Sequence, residues 1–174
     1  MELQQVILVD EQDAPVGVME KMEAHQKGVL HRAFSIFIFN DRGEMLLQQR
    51  ADDKYHSAGL WTNACCSHPS PGEDTIDAAH RRLQEEMGFD TELKKSFGFI
   101  YKASFENGLT EYEFDHVFIG NYNDPVQFNP SEVKAVTYKS VEEIERLIEK
   151  EPQQFTAWFI IAFPRLKQWR KEEF

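Results

Sequence analysis

The segment Phe34 to Phe39 reads Phe-Ser-Ile-Phe-Ile-Phe, five apolar side chains in six positions. Successive side chains of a strand point to opposite faces, so this strand has no face left for solvent. It belongs inside a sheet that is covered on both sides. Asn40-Asp41-Arg42-Gly43 then supplies turn residues, and Met45 to Gln49 reads as the return strand. Two covers on one sheet need a sizeable core. The chain has 174 residues, 41% of them hydrophobic. That suffices for one domain with one core and is too apolar for a disordered chain.

The rest of the chain supplies the covers. Gln5 to Val9 predicts a strand, with Gly17 to Met19 as its hairpin partner. Lys21 to Leu30 is polar and interrupted by Gly28, so it reads as a loop with a short helical turn. Leu60 to Cys66 reads as another strand, and further strands follow around Phe97 to Phe105, Glu111 to Tyr122 and Val133 to Tyr138. Glu73 to Met87 has helical spacing: Ile76, Ala79, Leu83 and Met87 form one stripe, and Gly88 sits where a C-cap glycine belongs. Ser140 caps a helix to Lys150, with Glu143 completing a capping box. A last helix includes Phe155 to Phe163 and is kinked or interrupted by Pro164. Strands and helices mix without regular βαβ alternation. The expected fold is a single α/β (α+β) domain over residues 1–174, a mixed β-sheet with helices packed on both faces.

Charge narrows the function classes. Thirty acidic against 19 basic residues give a formal net charge of −11. No basic footprint for nucleic acid is present, and an anionic membrane surface is an unsuitable partner. The two cysteines, Cys65 and Cys66, are adjacent, which suits neither a disulfide framework nor an oxidising compartment. The N-terminal stretch lacks the basic and long apolar parts of a signal peptide. The longest apolar run, Ala157 to Phe163, falls far short of the ~20 residues of a membrane span. A soluble, cytoplasmic protein is expected.

Several residue clusters could carry chemistry. On the helix ending at Gly88, Arg82 and Glu86 are four apart and share a face with Glu85. Such a cluster is either a solvated surface or a carboxylate holding Mg²⁺ beside a phosphate. Just upstream, Cys66 and His68 project to one side of an extended segment and Cys65 to the other, toward the core. Glu111 and Glu113 likewise share one side of a strand, with Tyr112 and Phe114 opposite. Two like charges on one face repel unless a cation lies between them or solvent screens them. His25, His31 and His68 with these two glutamates offer a mixed nitrogen and oxygen set suited to Zn²⁺, Mn²⁺ or a similar ion. Lys21, Arg50, Lys54 and Arg82 could form an anion-binding set.

Taken together these residues resemble a family. Ser67 to Phe89 looks like a Nudix box, matched at Glu73, Arg81, Leu83, Glu85, Glu86, Gly88 and Phe89. Ser67 stands where the box has its leading glycine, and Arg82 where it has the first glutamate of an Arg-Glu pair. Trp61-Thr62-Asn63 leading to Cys66-x-His68, and Glu111-Tyr112-Glu113 later, resemble the type I isopentenyl-diphosphate Δ-isomerases of the Nudix superfamily. The likeness runs from about residue 5 to 165 and takes in Glu20-Lys21, His25, His31, Arg50, Lys54, Tyr101 and Trp158. The His25–His31 interval is one residue shorter than in the bacterial pattern.

The resemblance implies a Nudix-like fold and an isomerase that interconverts isopentenyl and dimethylallyl diphosphate through a tertiary carbocation. It implies that Cys66, Glu113, Tyr101 and Trp158 act in catalysis. Glu113 would deliver one proton, and Cys66, as a thiolate made possible by nearby cations, would remove the other. Trp158 would turn its indole face to the cation. His25, His31, His68, Glu111 and Glu113 would bind one tight divalent metal (manganese or zinc, or else magnesium). Glu86 would hold a Mg²⁺ that arrives with the substrate diphosphate, and Lys21, Arg50, Lys54 and Arg82 would hold the diphosphate oxygens. The expected partner is a small allylic or homoallylic diphosphate, and the expected state a monomer or weak dimer. The rival reading is a Nudix hydrolase of a nucleoside diphosphate derivative, against which Arg82 and Cys66 argue.

Overall fold

The computed structural model describes residues 3–173. Nine strands form one sheet: β1 (Gln5–Val9), β2 (Pro15–Glu20), β3 (His31–Phe39), β4 (Met45–Arg50), β5 (Trp61–Thr62), β6 (Cys65–Ser67), β7 (Leu93–Ser104), β8 (Thr110–Asn121) and β9 (Val133–Lys139). Among the described residues four α-helices accompany them: α1 (Lys21–Lys27), α2 (Thr75–Met87), α3 (Val141–Lys150) and α4 (Ala157–Glu173).

The Phe34–Phe39 segment lies in β3, the hub of the sheet. Along one edge β3 runs parallel to β8, from His31 opposite Glu113 to Phe39 opposite Asn121. Along the other it pairs antiparallel with β1, β6 and β4 in turn. Its side chains split by parity. Phe34, Ile36 and Ile38 join Ala78, Ala79, Leu83 and Met87 of α2 in one apolar layer. Phe37 and Phe39 join Phe159, Phe163 and Leu166 of α4 and Ile144 of α3 in the other. Helices therefore cover both faces, as the apolar run requires. Each large, fully buried side chain in these layers contributes about 1.5–3 kcal/mol relative to exposure.

Helix α2 ends where its sequence says. Gly88 adopts φ 73°, and a Cβ there would fall 2.1 Å from the Gln127 carbonyl oxygen. Only glycine fits both the left-handed turn and that close approach.

The structure departs from expectation in four places. The short helical turn expected after Lys21 is a full helix over Lys21–Lys27, because the Glu20 carboxylate accepts from the Met22 and Glu23 amides and Gly28 closes the other end at φ 64°. Leu60 to Cys66 is two short strands, because Asn63 turns inward and donates to the Ile36 and Cys65 carbonyls. At α3 the Ser140 hydroxyl caps the Glu143 amide, but the returning half of the capping box is absent and Ser140 donates to the Glu143 carboxylate instead. Phe155 precedes α4, and the helix continues through Pro164 to Glu173. Packing of Phe159, Phe163 and Leu166 on both sides of the proline outweighs the one amide it removes.

Candidate active site

Strand register assembles the centre. The parallel β3–β8 pairing sets His31 beside Glu113, and the antiparallel β7–β8 pairing sets Tyr101 beside Glu113 and Ala103 beside Glu111. Alternation along β8 sends Tyr112 and Phe114 to the other side, where they pack on Ile7, Val9 and Leu30. On the site side, the Tyr101 hydroxyl lies 2.8 Å from Glu111 Oε1 and 2.5 Å from Glu113 Oε1. Its burial, then the two carboxylates, push its pKa up, so Tyr101 keeps its proton and shares it between them.

Imidazoles surround the two glutamates. One donor atom each from His25, His31, His68 and Glu113 lie within 4.8 Å of one another, and His25, His56 and Glu111 form a second such group. His25 and His31 are both 0% exposed. His25 Nδ1 lies 2.7 Å from the Lys21 carbonyl and His31 Nδ1 2.8 Å from the Val29 carbonyl. A ring donating through Nδ1 keeps its Nε2 lone pair free when neutral. Four Nε2 atoms face carboxylates: His31 at 3.1 Å and His68, whose own Nδ1 has no hydrogen-bond partner, at 2.6 Å from Glu113 Oε2, and His25 at 3.9 Å and His56 at 3.3 Å from Glu111 Oε2.

Protonation follows from the packing. Burial opposes a charge on His31, but Glu113 and the Val29 carbonyl outweigh it and raise its pKa. At His68 burial wins and the pKa falls to about 4. Burial and mutual repulsion would protonate Glu111 and Glu113, yet their histidine partners hold both below the usual carboxylate range. Two ionised, buried carboxylates close together are costly without a compensating cation. The Nε2 atoms of His25 and His56 are also buried without a hydrogen-bond partner. Divalent metal binding meets both demands, and the donor set fits it.

The centre opens into two adjoining chambers. The inner one, about 30 Å³, is lined by Cys66, His68, Tyr101, Glu111, Glu113 and Trp158 among others. The outer one, about 120 Å³, is lined by Lys21, Arg50, Lys54 and Arg82 together with Glu86 and Glu132. Arg50, Tyr55, Cys66, Ser67 and His68 border both. All four residues expected in catalysis thus face one chamber and all four expected cations the other. His25 and His31 lie behind the inner wall, and Glu86 reaches the outer one.

Cys66 is half-buried, whereas Cys65 lies in the α2 layer with its thiol donating to Glu86 Oε2 at 3.2 Å. The Cys66 thiol donates to Asn63 Oδ1 at 3.2 Å and lies 3.4 Å from Ser35 Oγ, which donates to Asp115 Oδ2 at 2.7 Å. Burial and the Asp115 carboxyl push the Cys66 pKa up, more than the bonds to Ser35 and Asn63 lower it. The thiolate expected from nearby cations is therefore not the resting form. The cations stand in the neighbouring chamber, and desolvation outweighs them.

The outer cations are partly occupied already. Arg82 donates to Glu85 at 2.6 Å and to Glu86 at 3.0 Å, and Lys54 pairs with Glu132. The Arg50 guanidinium carbon lies 5.1 Å from the Trp158 ring centre. Lys21 is lowered to about 8, by burial first and then by Lys54 and Arg82. Arg81, one position earlier on α2, bonds Glu73 and Glu85 on the exposed side and takes no part in the chambers.

His56, Asp115, Ser35 and Glu132 belong to this neighbourhood and escaped the sequence reading. His56 sits in a loop with no periodicity to mark it. Asp115 could have been found, since it continues the Glu111 and Glu113 alternation by one more step.

These features define a mixed α+β fold with a buried histidine–glutamate cluster suited to a divalent ion, set beside a basic chamber. The NUDIX domain family matches residues 29–159. Two solved structures share the fold: DR0079 from Deinococcus radiodurans (TM-score 0.71, 18% identity, 85% of this chain and 90% of that one) and the MutT protein from Methanosarcina mazei Go1 (TM-score 0.67, 20% identity, 83% and 95%). Sequence relatives are much nearer. An isopentenyl-diphosphate Delta-isomerase of Pectobacterium atrosepticum is 54% identical over 95% of this chain and 93% of its own length. Isopentenyl-diphosphate Delta-isomerase 2 of Aromatoleum aromaticum is 50% identical over 93% and 86%. The chain belongs to the isopentenyl-diphosphate Delta-isomerases of the NUDIX family. No helix among the described residues is long and apolar enough to cross a membrane.

Proposed function

We propose that this enzyme interconverts isopentenyl and dimethylallyl diphosphate with Cys66 and Glu113 as its two proton-transfer groups. The observation that carries the reading is the joined pair of chambers, one basic and one holding a thiol, a carboxylate, a phenol and an indole. Lys21, Arg50, Lys54 and Arg82 bind the diphosphate oxygens in the outer chamber. The five-carbon unit then points into the inner one, which has to widen from about 30 Å³ to take it. In the forward direction Glu113 gives a proton to the terminal methylene carbon, which leaves a tertiary carbocation. Cys66 takes a proton from the neighbouring methylene, and the double bond moves by one position. At the end of that step the thiol is protonated and Glu113 is a carboxylate, which is the resting state described above. The resting pair can therefore start the reverse direction directly, and a forward turn first needs the Cys66 proton moved through solvent to Glu113.

Trp158 and Tyr101 wall off water from the cation, and the indole face stabilises its charge. Tyr101 also steadies Glu113 through their short hydrogen bond. His25, His31, His68, Glu111 and Glu113 hold the tight divalent ion, read as manganese or zinc, or else magnesium. That ion supplies positive charge beside Glu113. Glu86 holds a Mg²⁺ carried in with the diphosphate. A hydrolase reading has less support, because Arg82 stands where the hydrolytic box has a glutamate and because Cys66 faces the inner chamber. The test is a product assay on isopentenyl diphosphate with added Mg²⁺. Dimethylallyl diphosphate with no released phosphate is the expected result, and phosphate release without isomer would overturn the reading.

A further inference from the structure

We propose that His56 is a further donor to the tight divalent ion, so that the centre offers four imidazoles and two carboxylates. The inference rests on the metal-binding reading above and extends it to a residue outside the five-member set. His56 lies in the loop between β4 and β5 and is 5% exposed. Its Nδ1 sits 3.1 Å from Ser57 Oγ, which can accept the ring proton. The other nitrogen, Nε2, lies 3.3 Å from Glu111 Oε2 yet makes no hydrogen bond. A buried lone pair aimed at a carboxylate oxygen is repulsive, unless a cation is bound by both.

His25 decides between one ion and two. It belongs to the His31–His68–Glu113 group and to the His56–Glu111 group. Its Nδ1 is committed to the Lys21 carbonyl, so it has one lone pair to give and can serve one ion. The two groups are therefore halves of a single six-donor centre. The His56 ring is also held by aromatic neighbours. It stacks on Phe105 at 4.5 Å with 7° between planes and meets the edges of Tyr55 at 4.3 Å and Trp158 at 5.6 Å.

Two consequences follow. A fourth imidazole moves the preference of the centre away from magnesium and manganese and toward later first-row ions. The ion also becomes tied to the diphosphate chamber, because the His56 carbonyl accepts from Arg50 Nη2 at 3.2 Å and Lys54 is two residues away on the same loop.

The experiment uses the full chain stripped of metal and reloaded with Mn²⁺ alone, with ¹⁵N-labelled histidine. Pulsed electron paramagnetic resonance counts the imidazole nitrogens bound to the ion. Four are expected in the wild type and three in His56→Gln, with the thermal unfolding of the metal-free proteins unchanged. The preference for Zn²⁺ over Mn²⁺ in competition should fall by about tenfold or more in the variant. Three nitrogens in the wild type would overturn the inference and leave the five-donor centre standing, and this count decides even if the variant fails to fold. Two Mn²⁺ ions per chain would overturn it as well. A wild type that binds no Mn²⁺ would instead remove the metal-binding reading on which it rests.

Discussion

The two chambers that meet at Cys66 are built from opposite materials. The inner groups come mostly from strands, and Glu113 stands in register with Tyr101 on one side and His31 on the other across three paired strands. The outer groups are long cations drawn from α1, β4, the following loop and α2, and they lean on Glu85, Glu86 and Glu132. A diphosphate entering the outer chamber exchanges one set of ion pairs for another, so each cation there contributes modestly. In the inner chamber no group has a substitute. Chemistry belongs to the rigid side and affinity to the adaptable one.

That division predicts graded losses. The largest should come from Cys66→Ala and Glu113→Gln, each lowering kcat by about 10²–10⁴-fold, the range of a lost acid or base. Steady-state assays with circular dichroism as a folding control check this. A loss confined to KM would erase the distinction between the chambers. Lys54→Ala should raise KM by roughly tenfold with kcat nearly unchanged, as expected for a charge-assisted contact made equally in ground and transition states. A collapse of kcat instead would place Lys54 with the chemistry.

The third effect is smaller and depends on pH. The Lys21 ammonium is disfavoured by burial and by its cationic neighbours, with a pKa of about 8 in the free enzyme. It is charged below that value and neutral above it, so kcat/KM should decline as pH rises through about 8. Lys21→Arg, which stays charged, should move that decline to higher pH. The smallest effect is expected at Cys65, whose thiol faces the α2 layer and Glu86. Cys65→Ala should retain activity within a few-fold, and a loss equal to that of Cys66→Ala would undo the assignment of opposite sides.

The sequence made one side of this comparison more legible than the other. Alternation announced that Glu111 and Glu113 share a face, and that Cys65 and Cys66 do not. The apolar parity of Phe34 to Phe39 called for two covering layers. The counter-charges were hidden. Glu132 reaches Lys54 from the loop before β9, and nothing in a local pattern marks such a contact. His56 was missed for the same reason, since a loop has no period. Polar composition concealed the extent of α1, whose stability comes from a glutamate cap rather than an apolar stripe. The resting thiol of Cys66 was misjudged because residue types near a group do not reveal its desolvation.

The central claim is that this site moves protons on carbon and leaves the diphosphate whole. Incubation with isopentenyl diphosphate in D₂O, followed by mass spectrometry of both isomers, measures it directly. Solvent deuterium should enter the five-carbon unit of both isomers with no phosphate released, and Cys66→Ala and Glu113→Gln should each suppress full isomerisation. Phosphate release with no deuterium on carbon would contradict the account.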